Sequence, residues 1–91
     1  MGKYFVDFKE TAKMEIAKIK KSGDLATFKK LEKIIIELSD HPTSGIGNPE
    51  QLKHSLSGYW SRRINKKDRI VYEIIEEPEQ LVVVVSALGH Y

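Results

Sequence analysis

The chain lacks cysteine, contains one tryptophan and three prolines, and has no long hydrophobic run. Without cysteine, neither a disulfide framework nor a thiolate zinc site can form. The longest apolar stretch, LVVVV, is far shorter than the roughly 18 to 20 residues that a membrane span requires. These absences predict a soluble protein without a membrane segment, suited to the reducing conditions of the cytoplasm.

Length and charge restrict the organisation further. The 91 residues are enough for a single domain over residues 1–91 and leave no room for a second. The net charge of +2 gives no argument for nucleic-acid binding from the total alone. The distribution is uneven, because residues 51–72 contain six Lys or Arg and one Asp, whereas residues 73–80 contain four Glu and no base. The positive charge is therefore concentrated in one segment.

The first half of the chain has the periodicity of one strand and two helices. Residues 3–8 alternate, with Phe5 and Asp7 on the face opposite Tyr4, Val6 and Phe8. Apolar residues then recur at helical spacing in a first helix that ends at Ser22-Gly23. Asp24 can cap a second helix, which we expect to stop at His41-Pro42, because proline disfavours helical geometry in the residue before it.

The second half has the period of two that is typical of strands. A loop over residues 42–49, with two glycines and two prolines, comes first. Residues 59–65 and 69–75 are expected to form a hairpin, and LVVVVSAL is typical of a strand buried in the middle of a sheet. The predicted fold is α+β, in the order β-α-α-β-β-β, with both helices on one face of a largely antiparallel sheet of four or five strands.

The hairpin register follows from its apolar residues. One face must carry Trp60, Ile64, Ile70, Tyr72 and Ile74, which requires an odd-length loop such as residues 66–68. Arg63 and Arg69 then emerge on the opposite face, with Tyr59, Ser61 and Asn65. Like charges at neighbouring cross-strand positions cost about 0.2 to 1 kcal/mol. A sheet face that accepts this repulsion is expected to bind an anion.

The neighbouring Arg62 has the opposite orientation by the same count. We expect its aliphatic stem to cover the edge of the core and its guanidinium to reach water or an acidic neighbour. Arg63 is therefore the better candidate for chemistry.

Two arginines on one face suit a phosphodiester, because the planar guanidinium matches phosphate oxygens. RNA supplies its own nucleophile, the 2′-hydroxyl. Its cleavage requires a base for that hydroxyl, an acid for the departing 5′-oxygen and cations for the developing charge, and in principle no metal or other cofactor. Glu50, an isolated carboxylate at the end of the glycine-rich loop, is the candidate base. His90, next to the sheet, is the candidate acid.

Each candidate also has a structural interpretation. An isolated loop glutamate such as Glu50 is usually solvated, and a penultimate histidine such as His90 usually belongs to a frayed tail. Arg63 and Arg69 could equally form surface salt bridges with Glu73 or Glu50.

Three further side chains could contact RNA. Lys13 and Lys20 belong to a basic stripe on the first helix, which serves either solubility or nucleic-acid binding. Tyr59 is either a rim residue of the core or a platform on which a base stacks. No metal site is predicted, because the histidines His41, His54 and His90 lack ligand spacing.

The run GIGNPEQLKHSLSGYWSRRINKKDRIVY, residues 45–72, together with the final HY, resembles the YoeB (Txe) toxins of bacterial toxin-antitoxin systems, a branch of the RelE/ParE superfamily. The resemblance implies a RelE-like fold and a ribosome-dependent mRNA endoribonuclease that cuts the codon in the A site. It also implies binding to the 70S ribosome, to mRNA and rRNA, and to a neutralising antitoxin of the YefM (Phd-like) type. Members of the family are often homodimers.

The resemblance also implies roles for individual residues. Glu50 matches the general base, and Lys53 matches a lysine near the reacting phosphate. Arg63 and Arg69 match arginines that stabilise the transition state. The final pair matches the family's general acid, His90, and a terminal aromatic that orients the substrate, Tyr91.

The sequence departs from the family at two places. Asp68 stands where relatives often have histidine, and SALGHY lacks the cysteine-arginine pair expected before the final residues. Two other functions remain open: a ParE-like gyrase inhibitor on the same fold, and a non-catalytic RNA-binding or ribosome-associated module.

Overall fold

The structure, a computed structural model, describes residues 3–53 and 57–89, which form two helices and one five-stranded sheet. In chain order the elements are β1 (Phe5–Phe8), α1 (Glu10–Lys21), α2 (Leu25–Leu38), β2 (Glu50–Gln51), β3 (Tyr59–Arg63), β4 (Arg69–Ile75) and β5 (Leu81–Gly89). The strand order across the sheet is β1-β5-β4-β3-β2, and only β1 and β5 pair in parallel. The predicted α+β fold is confirmed, with the short strand β2 as an addition to the predicted order.

The second helix begins where its capping residue predicts. Asp24 accepts hydrogen bonds from the side chain of Thr27 (2.7 Å) and from its backbone N–H (3.1 Å), which together lower the pKa of the Asp24 carboxyl. The predicted end at His41-Pro42 is wrong, because α2 stops at Leu38. The next residue, Ser39, donates its hydroxyl to the carbonyl of Ile36 (2.9 Å), and this local bond accompanies the earlier end.

Both helices pack on one face of the sheet. The buried core contains Ala12 and Ile19 from α1, Leu31, Ile34 and Leu38 from α2, and Ile64, Ile70, Tyr72, Val82, Val84 and Ala87 from the strand region. Strand β5 lies between β1 and β4, as its apolar run predicts. Within the described ranges, neither helix is both long and apolar enough to cross a membrane.

The hairpin has the predicted parity. Trp60 is the register partner of Tyr72, and Arg62 that of Ile70. The backbone N–H of Ile64 donates to the carbonyl of Asp68 (3.1 Å), so the enclosed turn has three residues and is shifted by one from the predicted loop.

The prediction that Asn65 shares a face with the two arginines is wrong, because Asn65 lies in the turn between the strands. Its side chain donates to Thr27 of α2 (3.3 Å) and to Asp68 (3.0 Å). Its amide oxygen accepts the backbone N–H groups of Lys67 and Asp68 at 2.9 and 2.7 Å. These bonds within the turn direct the side chain toward the helices.

Candidate active site

Two arginine side chains emerge side by side on the sheet face opposite the helices. Arg63 of β3 is the register partner of Arg69 of β4, which confirms that they share this face. Hydrogen-bonded and non-hydrogen-bonded pairs alternate along an antiparallel hairpin. Because Ile64 and Asp68 are joined by a backbone hydrogen bond, the adjacent pair of Arg63 and Arg69 is a non-hydrogen-bonded one. In such pairs the Cα atoms are about 4.5 Å apart and the side chains lie closest. We call the sheet face that carries Glu50, Ser61, Arg63, Arg69 and Val71 the arginine face; Ser61 and Val71 are themselves buried.

No described carboxylate neutralises the two arginines. Among residues 3–53 and 57–89, Lys13 pairs with Glu10 and Arg62 with Glu37, and no described carboxylate forms an ion pair with Arg63 or Arg69. Arg63 is exposed and Arg69 is half-buried. The salt-bridge interpretation of this pair therefore has no support in the described part of the chain. The arrangement leaves two guanidinium groups available to one anion.

The candidate base lies on the same face. Glu50 is exposed and opens β2, where it is the register partner of Ser61. Because Ser61 precedes Arg63 by two residues, Glu50 and Arg63 are diagonal neighbours, for which a separation of about 7 to 8 Å is typical. Pairing with β3 thus fixes the register of the carboxylate relative to both arginines, which a solvated loop residue would lack.

Arg62 points to the opposite side and is completely buried. Its Nη1 donates to Oε1 of Glu37 at 2.7 Å, so the predicted acidic neighbour is present. Its Nε donates to the hydroxyl of Tyr72 (3.2 Å), and that hydroxyl donates to the carbonyl of Pro42 (2.6 Å). Burial raises the pKa of Tyr72, which keeps the phenol protonated as a donor. Arg62 therefore does more than cover the edge of the core, because its guanidinium is itself buried and hydrogen-bonded.

The loop before β2 is bound to Arg62 by its backbone. Nη1 and Nη2 of Arg62 donate to three loop carbonyls, those of His41, Ser44 and Ile46. The backbone N–H of Ile46 in turn donates to Oε1 of Glu37 (3.0 Å). One buried side chain thus connects the end of α2, the loop and the hairpin.

Gly47 allows the loop to approach β3 closely. Its carbonyl accepts the backbone N–H of Arg63 at 2.6 Å, and its φ is +83°. A Cβ at this position would lie 2.8 Å from the Arg63 carbonyl oxygen. Glycine is therefore required here by the contact as well as by the backbone angle.

The C-terminal strand ends beside Arg69. Gly89, the last described residue, is the register partner of Arg69. A β-bulge interrupts the register just before this point, and Oε1 of Glu15 in α1 accepts hydrogen bonds from Ser86, Ala87 and Leu88. The predicted acid His90 and the predicted aromatic Tyr91 lie outside the described residues.

The other predicted residues are divided between the two sides of the sheet. Tyr59 is half-buried on the side of the arginine face, opposite Glu73, and exposed Lys53 follows β2 by two residues. Lys13 and Lys20 are exposed on α1, in the helical layer behind the sheet, and Lys13 contacts Glu10 at 3.5 Å. The structure therefore does not bring these two lysines to the arginine face.

A metal site finds no support among the described residues, which contain no group of three potential ligands from His, Cys, Asp and Glu. His41 lies within the described residues, and its backbone carbonyl accepts a hydrogen bond from Nη2 of Arg62. His54 lies outside the described residues.

Comparison with known proteins gives one consistent result. The family model of the YoeB-like toxin of bacterial type II toxin-antitoxin systems matches residues 8–91. The chain is 41% identical over 69 residues to a toxin YoeB from Synechocystis, an alignment covering 76% of this chain and 77% of the relative.

Solved structures agree with the sequence comparison. A YoeB/ParE toxin from Agrobacterium tumefaciens superposes with a TM-score of 0.84 at 28% identity, covering 94% of this chain and 98% of that one. YoeB from Staphylococcus aureus is similar at 29% identity. Its dimer has a TM-score of 0.81, covering 98% of this chain and 99% of that one. Its heterotetrameric complex with YefM has a TM-score of 0.77, covering 97% and 98%.

Proposed function

The chain belongs to the YoeB-like toxins of bacterial type II toxin-antitoxin systems, and on this premise we propose that it is a ribosome-dependent endoribonuclease that cuts mRNA in the ribosomal A site. The observation that carries the proposal is the directly opposed pair Arg63 and Arg69, which has no carboxylate partner among the described residues. A fold that retains this repulsion where Arg63 is exposed and Arg69 half-buried supports a site for a phosphate group.

The proposed reaction is an internal transesterification. Glu50 removes the proton of a ribose 2′-hydroxyl, and the 2′-oxygen attacks the adjacent phosphorus. The bond between phosphorus and the 5′-oxygen breaks, His90 donates a proton to that oxygen, and the upstream fragment ends in a 2′,3′-cyclic phosphate. Arg63 and Arg69 stabilise the charge that builds on the phosphoryl oxygens.

Binding residues complete the proposed site. Lys53 contacts a phosphate near the reacting one, and Tyr59 and Tyr91 stack on or orient the bases. The end of β5 beside Arg69 supports a tail that acts at this site, because Gly89 immediately precedes His90. Lys13 and Lys20, on the other side of the molecule, would contact rRNA rather than the reacting mRNA.

The proposal includes partners. Toxins that act on ribosomes must meet the 70S particle and its mRNA, and a YefM-like antitoxin is expected to neutralise this chain, as the name of the Staphylococcus aureus complex indicates for that protein. A homodimer is the corresponding expectation for the free toxin. The edge strands β1 and β2 offer positions at which a partner segment can add to the sheet.

Two rival functions differ in their products. A ParE-like gyrase inhibitor would cause DNA damage, and a non-catalytic ribosome-binding module would cut nothing. Neither uses Glu50, Arg63 and Arg69 as one catalytic group. The shared face of these three residues therefore favours the nuclease.

Mapping of new 5′ ends on translated messages after induction separates the three functions. The nuclease predicts cuts near start codons that disappear in Glu50→Gln, while Lys66→Gln, which removes an exposed charge from the neighbouring turn, keeps them. DNA damage without RNA cuts would support the gyrase inhibitor, and growth arrest without either would support the binding module.

A further inference from the structure

The guanidinium of the buried Arg62 makes several hydrogen bonds in addition to its ion pair with Glu37. Its guanidinium has five N–H donors, and the structure gives it five hydrogen bonds. Two of the five go to side chains, those of Glu37 and Tyr72, and three go to backbone carbonyls of residues 41–46. The side chain is 0% exposed, so it cannot itself touch RNA.

Three of these five bonds go to the segment that leads to the candidate base. Residues 41–46 are held by Arg62, Gly47 is held by the backbone of Arg63, and Glu50 is paired with Ser61. Three consecutive residues of β3 thus bind the chain at several points between α2 and Glu50. The side chain of Arg63, the third of them, lies on the arginine face.

We propose that Arg62 is a positioning residue: its guanidinium holds the 41–46 loop through three hydrogen bonds and so sets the place of the Glu50 carboxylate relative to Arg63 and Arg69. This inference rests on the proposed function of Glu50. A misplacement of about 1 Å at a reacting group can cost about a hundredfold in rate, so loosening the loop would impair catalysis without disturbing the sheet.

Arg62→Lys is the informative substitution. It retains the positive charge beside Glu37 but has three donors on one atom, which cannot reach the fork's separate acceptors. At saturating programmed ribosomes we expect the single-turnover cleavage rate per folded molecule to fall about a hundredfold, with the half-saturating concentration within about twofold of the original. A purely structural role would lower the melting temperature and leave the rate per folded molecule unchanged.

Hydrogen exchange gives a readout that does not depend on cleavage. The amide of Ile46 donates to Glu37, and that of Arg63 donates to Gly47, so both report on the loop. In Arg62→Lys we expect these two amides to exchange at least about tenfold faster, while those of Val82 and Val84 in β5 keep their protection.

If Arg62→Lys does not fold, Glu37→Ala serves as the second variant. Glu37 is partly exposed and lies outside the sheet, and its removal deletes the acceptor shared by Arg62 and Ile46. For this variant the readouts are the cleavage rate per folded molecule and the exchange of the Arg63 amide, because the Ile46 amide loses its own acceptor.

The outcomes separate the two proposals. If the unsubstituted protein cleaves and the variant cleaves equally fast per folded molecule, the positioning role is refuted. If the unsubstituted protein does not cleave, the proposed function fails. The exchange of Ile46 and Arg63 then decides whether Arg62 holds the loop, and unchanged protection of both amides would refute it.

Discussion

Replacing one arginine of the opposed pair should stabilise the fold while it slows the proposed cleavage. The perturbation is Arg63→Gln, which removes one of two like charges at directly opposed strand positions. Such a pair costs about 0.2 to 1 kcal/mol. Since 1 kcal/mol shifts the melting temperature of a domain of this size by about 4 to 8 °C, removing this repulsion should raise the melting temperature by about 1 to 8 °C. Because Arg63 is exposed, solvent screens the repulsion, and we expect an increase in the lower half of this range, about 1 to 4 °C.

The assay is thermal unfolding at two salt concentrations. The Debye length falls from about 10 Å at 0.1 M salt to about 3 Å at 1 M, so the difference between the two proteins should shrink at 1 M. The cleavage rate of Arg63→Gln should fall about 10² to 10³-fold, as for the loss of one preorganised donor.

Two matched variants control this experiment. Lys66→Gln removes the same charge from a turn position of the same hairpin, and should leave the melting temperature nearly unchanged. Arg62→Gln breaks the buried ion pair between the adjacent residue and Glu37, and should destabilise the fold by about 3 to 5 kcal/mol at either salt concentration. If Arg63→Gln instead lowers the melting temperature equally at both salt concentrations, Arg63 supports the fold and our reasoning about a strained binding face is wrong.

Three further predictions concern stability and the tail. Gly47→Ala should destabilise the fold by about 1 kcal/mol or more beyond Gly23→Ala in chemical denaturation, because both glycines have positive φ but only the former meets a backbone atom; equal losses would contradict this. The melting-temperature advantage of the parent over Asp24→Asn should be present above pH 4 and decline as the pH falls through the lowered pKa of Asp24, whereas an advantage that does not change with pH would contradict the contribution of the ionised carboxylate to the cap. Deleting Tyr91 should slow single-turnover cleavage without lowering the melting temperature, and a large loss of stability would instead make it a structural residue.

The hairpin could be predicted because two independent constraints agree. The apolar residues of both strands have even numbers, and a sheet with one buried face permits only a register in which they oppose each other. The shared face of Arg63 and Arg69 follows from that parity, whereas their direct opposition depends on the turn, which is shifted by one residue from the predicted loop. The start of α2 was similarly fixed by one local group, the carboxylate of Asp24.

The features that the sequence did not reveal depend on distant contacts or on very short elements. Parity placed Arg62 on the core side, but its loop partners are 16 to 21 residues away, and no local pattern predicts that their carbonyls turn toward it. The two-residue strand that contains Glu50 is too short to show a period. Asn65 was misplaced because the parity rule was extended past the end of β3, into a turn with its own hydrogen bonds.

The most direct test of the central claim is cleavage of an mRNA with a single 2′-deoxy substitution, placed at the nucleotide whose 2′-oxygen should attack in the ribosomal A site. Our account predicts that purified protein cuts the all-ribose message to leave a 2′,3′-cyclic phosphate and does not cut the substituted message at that position. Equal cleavage of both messages would show that the nucleophile is not the neighbouring hydroxyl, and would contradict the roles proposed for Glu50, Arg63 and Arg69.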